Sequence, residues 1–267
     1  HRVRGDQFVH GQPVQYGREF RTLRHRLSLR HDGDAAKSHA AKFGDSDERE
    51  IRWRNQARPP NLSCVNDRFL AAEPKFRIRA RYTDTTITVY QAYRPGIGLA
   101  AARDGRFPGE WKRDRMTWIK PSFLWMMYRC GWGTKEGQET VLAVEIDRAG
   151  FEWALRHACL SHYVSGVHTD RAAWKRELGR APARVQWDPE RDLHHNALPC
   201  RSLQLGLAGE AARRYADEWI VGIQDVTPLA RRVHAAVRAG KPEEAGALLP
   251  EERAYPVGED MLARLRA

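Results

Sequence analysis

Apolar and basic residues alternate through Phe76-Arg77-Ile78-Arg79-Ala80-Arg81-Tyr82, the period of two that predicts a strand with one buried face. After a turn at Thr83-Asp84-Thr85, the β-branched and aromatic run Thr86-Ile87-Thr88-Val89-Tyr90-Gln91-Ala92-Tyr93 predicts a second strand. Pro95 then opens a short helix through Ile97, Leu99 and Ala100–Ala102 that Gly105 stops. The densest apolar segment runs from Met116 to Arg129. Within it Pro121 suits a first helical turn, Phe123, Leu124, Met127 and Tyr128 share one face, and Gly131 supplies a C-terminal stop.

Further along, Val141–Asp147 reads as a strand and Phe151–Cys159 as an amphipathic helix. Strands at Arg184–Trp187 and Arg201–Leu207 follow, then a helix around Glu210–Trp219 and a short strand at Ile220–Gln224. A helix runs from Thr227 to Gly240 with Pro228 at its first position, and the end from Pro242 onward reads as amphipathic helix, a lid or packing arm. Strands and helices mix without regular βαβ spacing, so the expected fold is a single α+β domain over residues 73–267, with a central, largely antiparallel sheet flanked by helices.

Residues 1–72 differ. They hold fourteen Lys/Arg, nine Asp/Glu, five His and one Trp (Trp53), with no sustained period, and Pro59-Pro60 closes them with an extended pair. The expectation is a basic, flexible and poorly structured N-terminal extension; the alternative is a basic arm that folds on nucleic acid, since six Arg or Lys fall between Arg18 and Lys37. No Met precedes Met116, which leaves open whether residues 1–72 belong to the natural protein.

Composition narrows the class. With 267 residues, 42% hydrophobic, 30% charged and nine Trp, the chain can bury a core without disulfides or structural metal. No apolar run approaches the ~18 residues of a membrane span, so no membrane role is expected. No apolar stretch of a secretory signal follows the first basic residues, and the widely spaced Cys64, Cys130, Cys159 and Cys200 read as reduced thiols, pointing to the cytoplasm. The balance of 45 Lys+Arg against 34 Asp+Glu, a net +11, favours a nucleotide or RNA as partner; a merely basic, Arg-rich surface is the other reading.

Candidate chemistry sits in four places. Arg77, Arg79 and Arg81 would form a row on one strand face, met by an anionic partner or by carboxylates of a neighbouring element. Tyr90, Gln91 and Tyr93 lie where a strand runs into a helix start, a setting that suits phosphate. Arg113, Arg115, Trp118, Lys120, Ser122 and Arg129 surround the helix begun by Pro121: Lys120, the Ser122 hydroxyl and free backbone N–H groups would hold an anion while Trp118 or Trp125 stacks on a base. In the alternative, Trp125, Met126 and Met127 are core and Lys120 is surface. Finally, Asp188 and Glu190 flank Pro189 in a stiff loop, with Arg201 and Gln204 nearby in sequence; they would act as base or orient a ribose hydroxyl, or else simply start a helix. Cys-x-x-Cys, His-Glu-x-x-His and Gly-x-Ser-x-Gly patterns are all lacking, so no metal site or serine elbow is expected, and no cofactor is named.

The motifs Tyr90-Gln91-Ala92-Tyr93, Arg115 to Arg129, Gln186-Trp187-Asp188-Pro189-Glu190-Arg191 and Arg201-Ser202-Leu203-Gln204 resemble those of the family DUF4291, a domain of unknown function, from about Phe76 to about Gly240. The resemblance implies no established activity. The order of parts is loosely similar to that of ADP-ribosyltransferases, without their His-Tyr-Glu set. The expectation is an enzyme acting on a nucleotide or RNA, possessing a group transferase's organisation, with a non-catalytic nucleic-acid-binding module as the alternative. Asp188, Glu190 and Gln204 are the expected catalytic residues. Arg79, Arg81, Tyr90, Gln91, Tyr93, Arg115, Trp118, Lys120, Ser122, Arg129 and Arg201 are the expected substrate contacts.

Overall fold

A computed structural model describes residues 75–266; the expected N-terminal extension lies outside the described residues. The strand with the most continuous apolar run, β4 (Thr140–Asp147), is buried on both faces from Thr140 to Val144 because it is the centre of an antiparallel sheet. Its neighbours are β2 (Thr86–Tyr93) and β8 (Ile220–Asp225). A second sheet has the order β3-β7-β6-β5, formed by β3 (Thr117–Ile119), β7 (Ala197–Leu207), β6 (Ala183–Arg191) and β5 (Ala158–Leu160). Its pairs are antiparallel except β5 with β6. Backbone joins the two sheets at a bridge where the Tyr90 N–H donates to the Lys120 carbonyl at 2.7 Å. The expected central sheet is therefore two sheets hinged at Tyr90 and Lys120.

Arg77 to Arg81 follow the expected alternation, with Ile78 and Ala80 buried and the three arginines half-buried. The strand itself is much shorter than expected. Only β1 (Arg79–Ala80) pairs continuously, because its partner β9 (Arg253–Ala254) offers two residues; Phe76 and Tyr82 make single bridges to Arg201 and Ile87.

Helices are α1 (Pro95–Asp104), α2 (Phe123–Cys130), α3 (Arg148–Arg156), α4 (Arg171–Arg180), α5 (Glu210–Arg214), α6 (Thr227–Arg238), α7 (Pro242–Leu248) and α8 (Glu259–Leu265). α5 widens into a π turn at Tyr215–Trp219. The helix expected over Phe151–Cys159 begins earlier, because the Asp147 carboxylate caps it by accepting from the Ala149 N–H at 3.0 Å, and it ends at Arg156 so that Ala158 can enter β5. Gly150 lets α3 meet the π turn: a Cβ there would lie 2.5 Å from the Trp219 ring. The C-terminal arm packs as expected but is partly extended. Trp187 donates its indole N–H to the Leu265 carbonyl at 2.7 Å, and Tyr255 and Leu265 enter the main core.

Asp188-Pro189-Glu190-Arg191 is neither a loop nor a helix start. It is the end of β6, where Asp188 faces Ser202 and Pro189 faces Arg201 before the register shifts. The apolar faces of both sheets, α3 and the π turn enclose the main core; a second cluster lies between α2, α6 and the other face of β4. No helix among the described residues is long and apolar enough to cross a membrane.

Candidate functional site

Register on the four-stranded sheet determines which side chains share its polar face. Trp118 and Arg184 both lie opposite Gly206, Gln186 opposite Gln204, and Asp188 opposite Ser202. Lys120, one step beyond Ile119 on β3, continues the Trp118 row toward Gln204. Gly206 makes room here: a Cβ would sit 3.0 Å from the Trp118 ring, so the indole lies close over bare backbone. The Gln204 amide donates to one oxygen of Asp188, and the Gln186 amide donates to the other at 3.1 Å.

Lys120 is 6% exposed. Its ammonium donates to the Trp118 carbonyl at 3.1 Å and lies 5.5 Å from the centroid of the Trp125 ring. Among the described residues no carboxylate comes within ion-pair distance of it. Burial pulls its pKa down to about 7, the positive charge of Arg129 adds to that, and Asp188 opposes it. Trp125, itself 5% exposed, has a buried indole N–H with no hydrogen-bond partner among the described residues. A lone donor at that depth costs stability unless something accepts from it.

α2 enters over this site. Pro121 precedes the cap instead of occupying the first turn; Ser122 is the N-cap, its hydroxyl accepting from the Trp125 N–H at 3.2 Å and donating to the Glu190 carboxylate at 2.9 Å. The Phe123 N–H donates to Glu252 at 2.7 Å. Two of the groups expected to hold an anion at this helix start are thus already engaged, and a carboxyl from the C-terminal arm fills the position. Burial raises the Glu252 pKa to about 8; the Phe123 hydrogen bond and Arg79 oppose the rise, and Glu190 adds to it. The Lys120 and Glu252 pKa values are thus shifted toward each other.

The other expected residues divide. Asp188, Glu190, Gln204, Trp118, Lys120 and Ser122 gather around the polar face and the start of α2, whereas Arg129 is exposed in the last turn of that helix and reaches Lys120 only through its charge. Arg79 lies in the electrostatic field of Glu252, and Arg81 in that of Tyr90. Tyr90 is buried, packed edge-on to Phe123 at 5.4 Å, and desolvation pushes its phenol well up. Gln91 is a buried hub: its amide donates to Thr117 at 2.7 Å and to the Trp118 carbonyl at 3.2 Å, and its oxygen accepts from Tyr215 at 2.7 Å. Tyr93 accepts from the Trp111 indole at 3.0 Å. Arg115 is exposed beside this network, Arg113 pairs with Asp217 at 2.8 Å, and Arg201 lies in β7 opposite Pro189.

Sequence reasoning missed an aromatic strip beyond Trp125. Tyr128, 41% exposed, carries the Arg191 guanidinium 3.8 Å from its ring centroid; His195 stacks on Trp132 at 5.2 Å, and Trp132 on His234 at 5.3 Å. Trp132 and His195 both have left-handed backbone (φ 58 and 66). Glu252 was missed as well, since Glu251-Glu252 in a short extended arm carries no local signal.

A family model described as "Domain of unknown function (DUF4291)" matches residues 77–255. The chain belongs to this family. The match reaches past Gly240 to take in Glu252 and Tyr255, so the arm that covers the start of α2 is part of the family domain. No curated protein matches the chain.

Proposed function

We propose that this DUF4291 protein is an enzyme acting on a nucleotide or on RNA, with Lys120 at the centre of its chemistry. The observation that carries this reading is the Lys120 amine, buried, among the described residues, without a carboxylate partner, beside a Trp125 indole unpartnered among them too, and held near a pKa of 7. An amine so poised is partly neutral at physiological pH and suits a general base that takes a proton from a ribose hydroxyl or a water. Asp188, braced by Gln186 and Gln204, orients that hydroxyl, and Trp118 stacks on a base. Exposed Arg129 and Arg115 supply positive charge for phosphates. A group-transfer reaction is the class that these parts fit.

The exposed Tyr128 with its stacked Arg191 favours a second reading, a nucleic-acid-binding module without turnover. Calorimetry with NAD, ATP and a short RNA, followed by product analysis, separates the two. The enzyme reading expects binding plus conversion that Lys120→Ala removes while the fold persists. Binding that weakens steeply with salt and never converts the ligand supports the module instead. Absence of heat from all three at sub-millimolar concentration overturns both.

A further inference from the structure

At the opposite edge of the four-stranded sheet, α3 ends, β5 begins, and α4 and α8 flank an open cleft. The cavity between them has a volume of about 480 Å³ and is lined by Arg156, His157, Arg176, Arg180 and Arg264, with Glu177 the acid among the lining residues. This size falls in the range of small-molecule sites.

Part of that positive charge has a structural purpose. Arg264 donates to the carbonyls of Leu155 at 3.1 Å and Arg156 at 2.7 Å, satisfying the C-terminal end of α3. Arg156 lies 3.7 Å from Glu152, an acid it shares with Arg148. Nothing comparable accounts for Arg176 and Arg180. Both are exposed, one helical turn apart on α4, and among the described residues neither has an ion pair. Like charges at this spacing disfavour the helix slightly, and converging cations from three elements raise the potential inside the cavity.

One wall is aromatic. His157 stacks on Trp153 at 4.2 Å, and its Nδ1 lies 2.8 Å from the Trp153 carbonyl. A carbonyl can only accept, so Nδ1 carries the proton and Nε2 is left for another partner. Ala158, Ala173 and Ala181 leave room where larger side chains would fill the space.

We propose that this cavity binds a phosphorylated small molecule, its phosphate held by Arg176 and Arg180 and its organic part against the alanines and His157. Guanidinium pairs suit phosphate because their planar N–H groups match its oxygens. The site is separate from Lys120 and stands whether or not the catalytic reading does.

The test is calorimetric titration of the full chain with AMP, adenosine and a short RNA, repeated on Arg176→Glu/Arg180→Glu, on the milder Arg176→Gln/Arg180→Gln, and on Lys120→Ala. Expected are AMP binding with no response to adenosine, at least tenfold weaker AMP affinity with charge reversal, a smaller loss with the glutamines, and retained binding after Lys120→Ala. Unchanged affinity in the charge-reversed protein overturns the proposal, as does loss confined to Lys120→Ala. No binding of AMP, or binding of RNA alone, overturns it too.

Discussion

Two polar clusters share one atom, the Trp118 carbonyl oxygen, which accepts from the Gln91 amide at 3.2 Å and from the Lys120 ammonium at 3.1 Å. On the Gln91 side both ends of the amide are used: Thr117 accepts, Tyr215 donates, and Trp111 and Tyr93 extend the chain of hydrogen bonds. On the Lys120 side, among the described residues, a buried ammonium has a single carbonyl, the Trp125 indole N–H has nothing, and Glu252 is held away from its ordinary pKa. Burial alone does not distinguish the clusters. Satisfaction does: the first tightens the joint between β2, β3 and the π turn, whereas the second carries a cost that folding does not require.

Gln91→Leu strikes the satisfied side and should have the largest effect on stability. It leaves the buried Tyr215 hydroxyl without its acceptor and takes from Thr117 its shortest partner, leaving it the Tyr93 hydroxyl at 3.4 Å, a loss on the order of 3 kcal/mol measurable by urea denaturation. A midpoint indistinguishable from the wild type would remove the distinction drawn between the clusters.

Lys120→Met should do the reverse. The amine titrates near 7 in the folded protein and near ~10.4 when unfolded. Below pH 7 both states are charged and the full burial cost is present; between those values the unfolded chain holds more protons, so wild-type stability rises with pH. The methionine protein should be more stable at pH 6 by on the order of 2 kcal/mol, with that gain gone by about pH 10, and it should have no turnover. Denaturation curves at pH 6, 8 and 10 check the sign.

Glu252→Gln sharpens the comparison with the smallest effect. The folded carboxyl titrates near 8 against ~4.3 unfolded. The folded state therefore holds more protons across that window, and wild-type stability falls as pH rises through it. Glutamine can still accept from the Phe123 N–H, so the variant should match the wild type near pH 4.5 and exceed it by about 1 kcal/mol at pH 8, an amount reduced for the partial exposure of the residue. Equal slopes of stability against pH in the two proteins would place Glu252 outside the shifted cluster.

Much of the α+β architecture is legible locally. Val141–Asp147 declares a strand, Pro95 and Gly105 bracket α1, and Gly131 marks the end of α2. The misread pieces are those whose order comes from neighbours. β3 and β5 have three residues each and exist because β7 and β6 pair with them. Asp188-Pro189-Glu190-Arg191 is too charged to read as a strand, yet Ser202, Arg201 and the Ser122 hydroxyl supply its partners. α4 has no buried residue to set a period, and its start depends on Asp170 accepting from the Ala173 N–H at 2.7 Å.

Residue types and their spacing were enough to determine the class of fold, the family and the short segments where cations, rings and acids concentrate. The tertiary structure decided which of those groups are spent and which are not: Gln91 and Ser122 became joints, while among the described residues Lys120 and Trp125 were left with unmet needs. The reason is physical. Propensity and alternation act over a few residues, but solvation and hydrogen-bond satisfaction depend on what a distant segment brings to the same few ångströms, as Glu252 does at the start of α2.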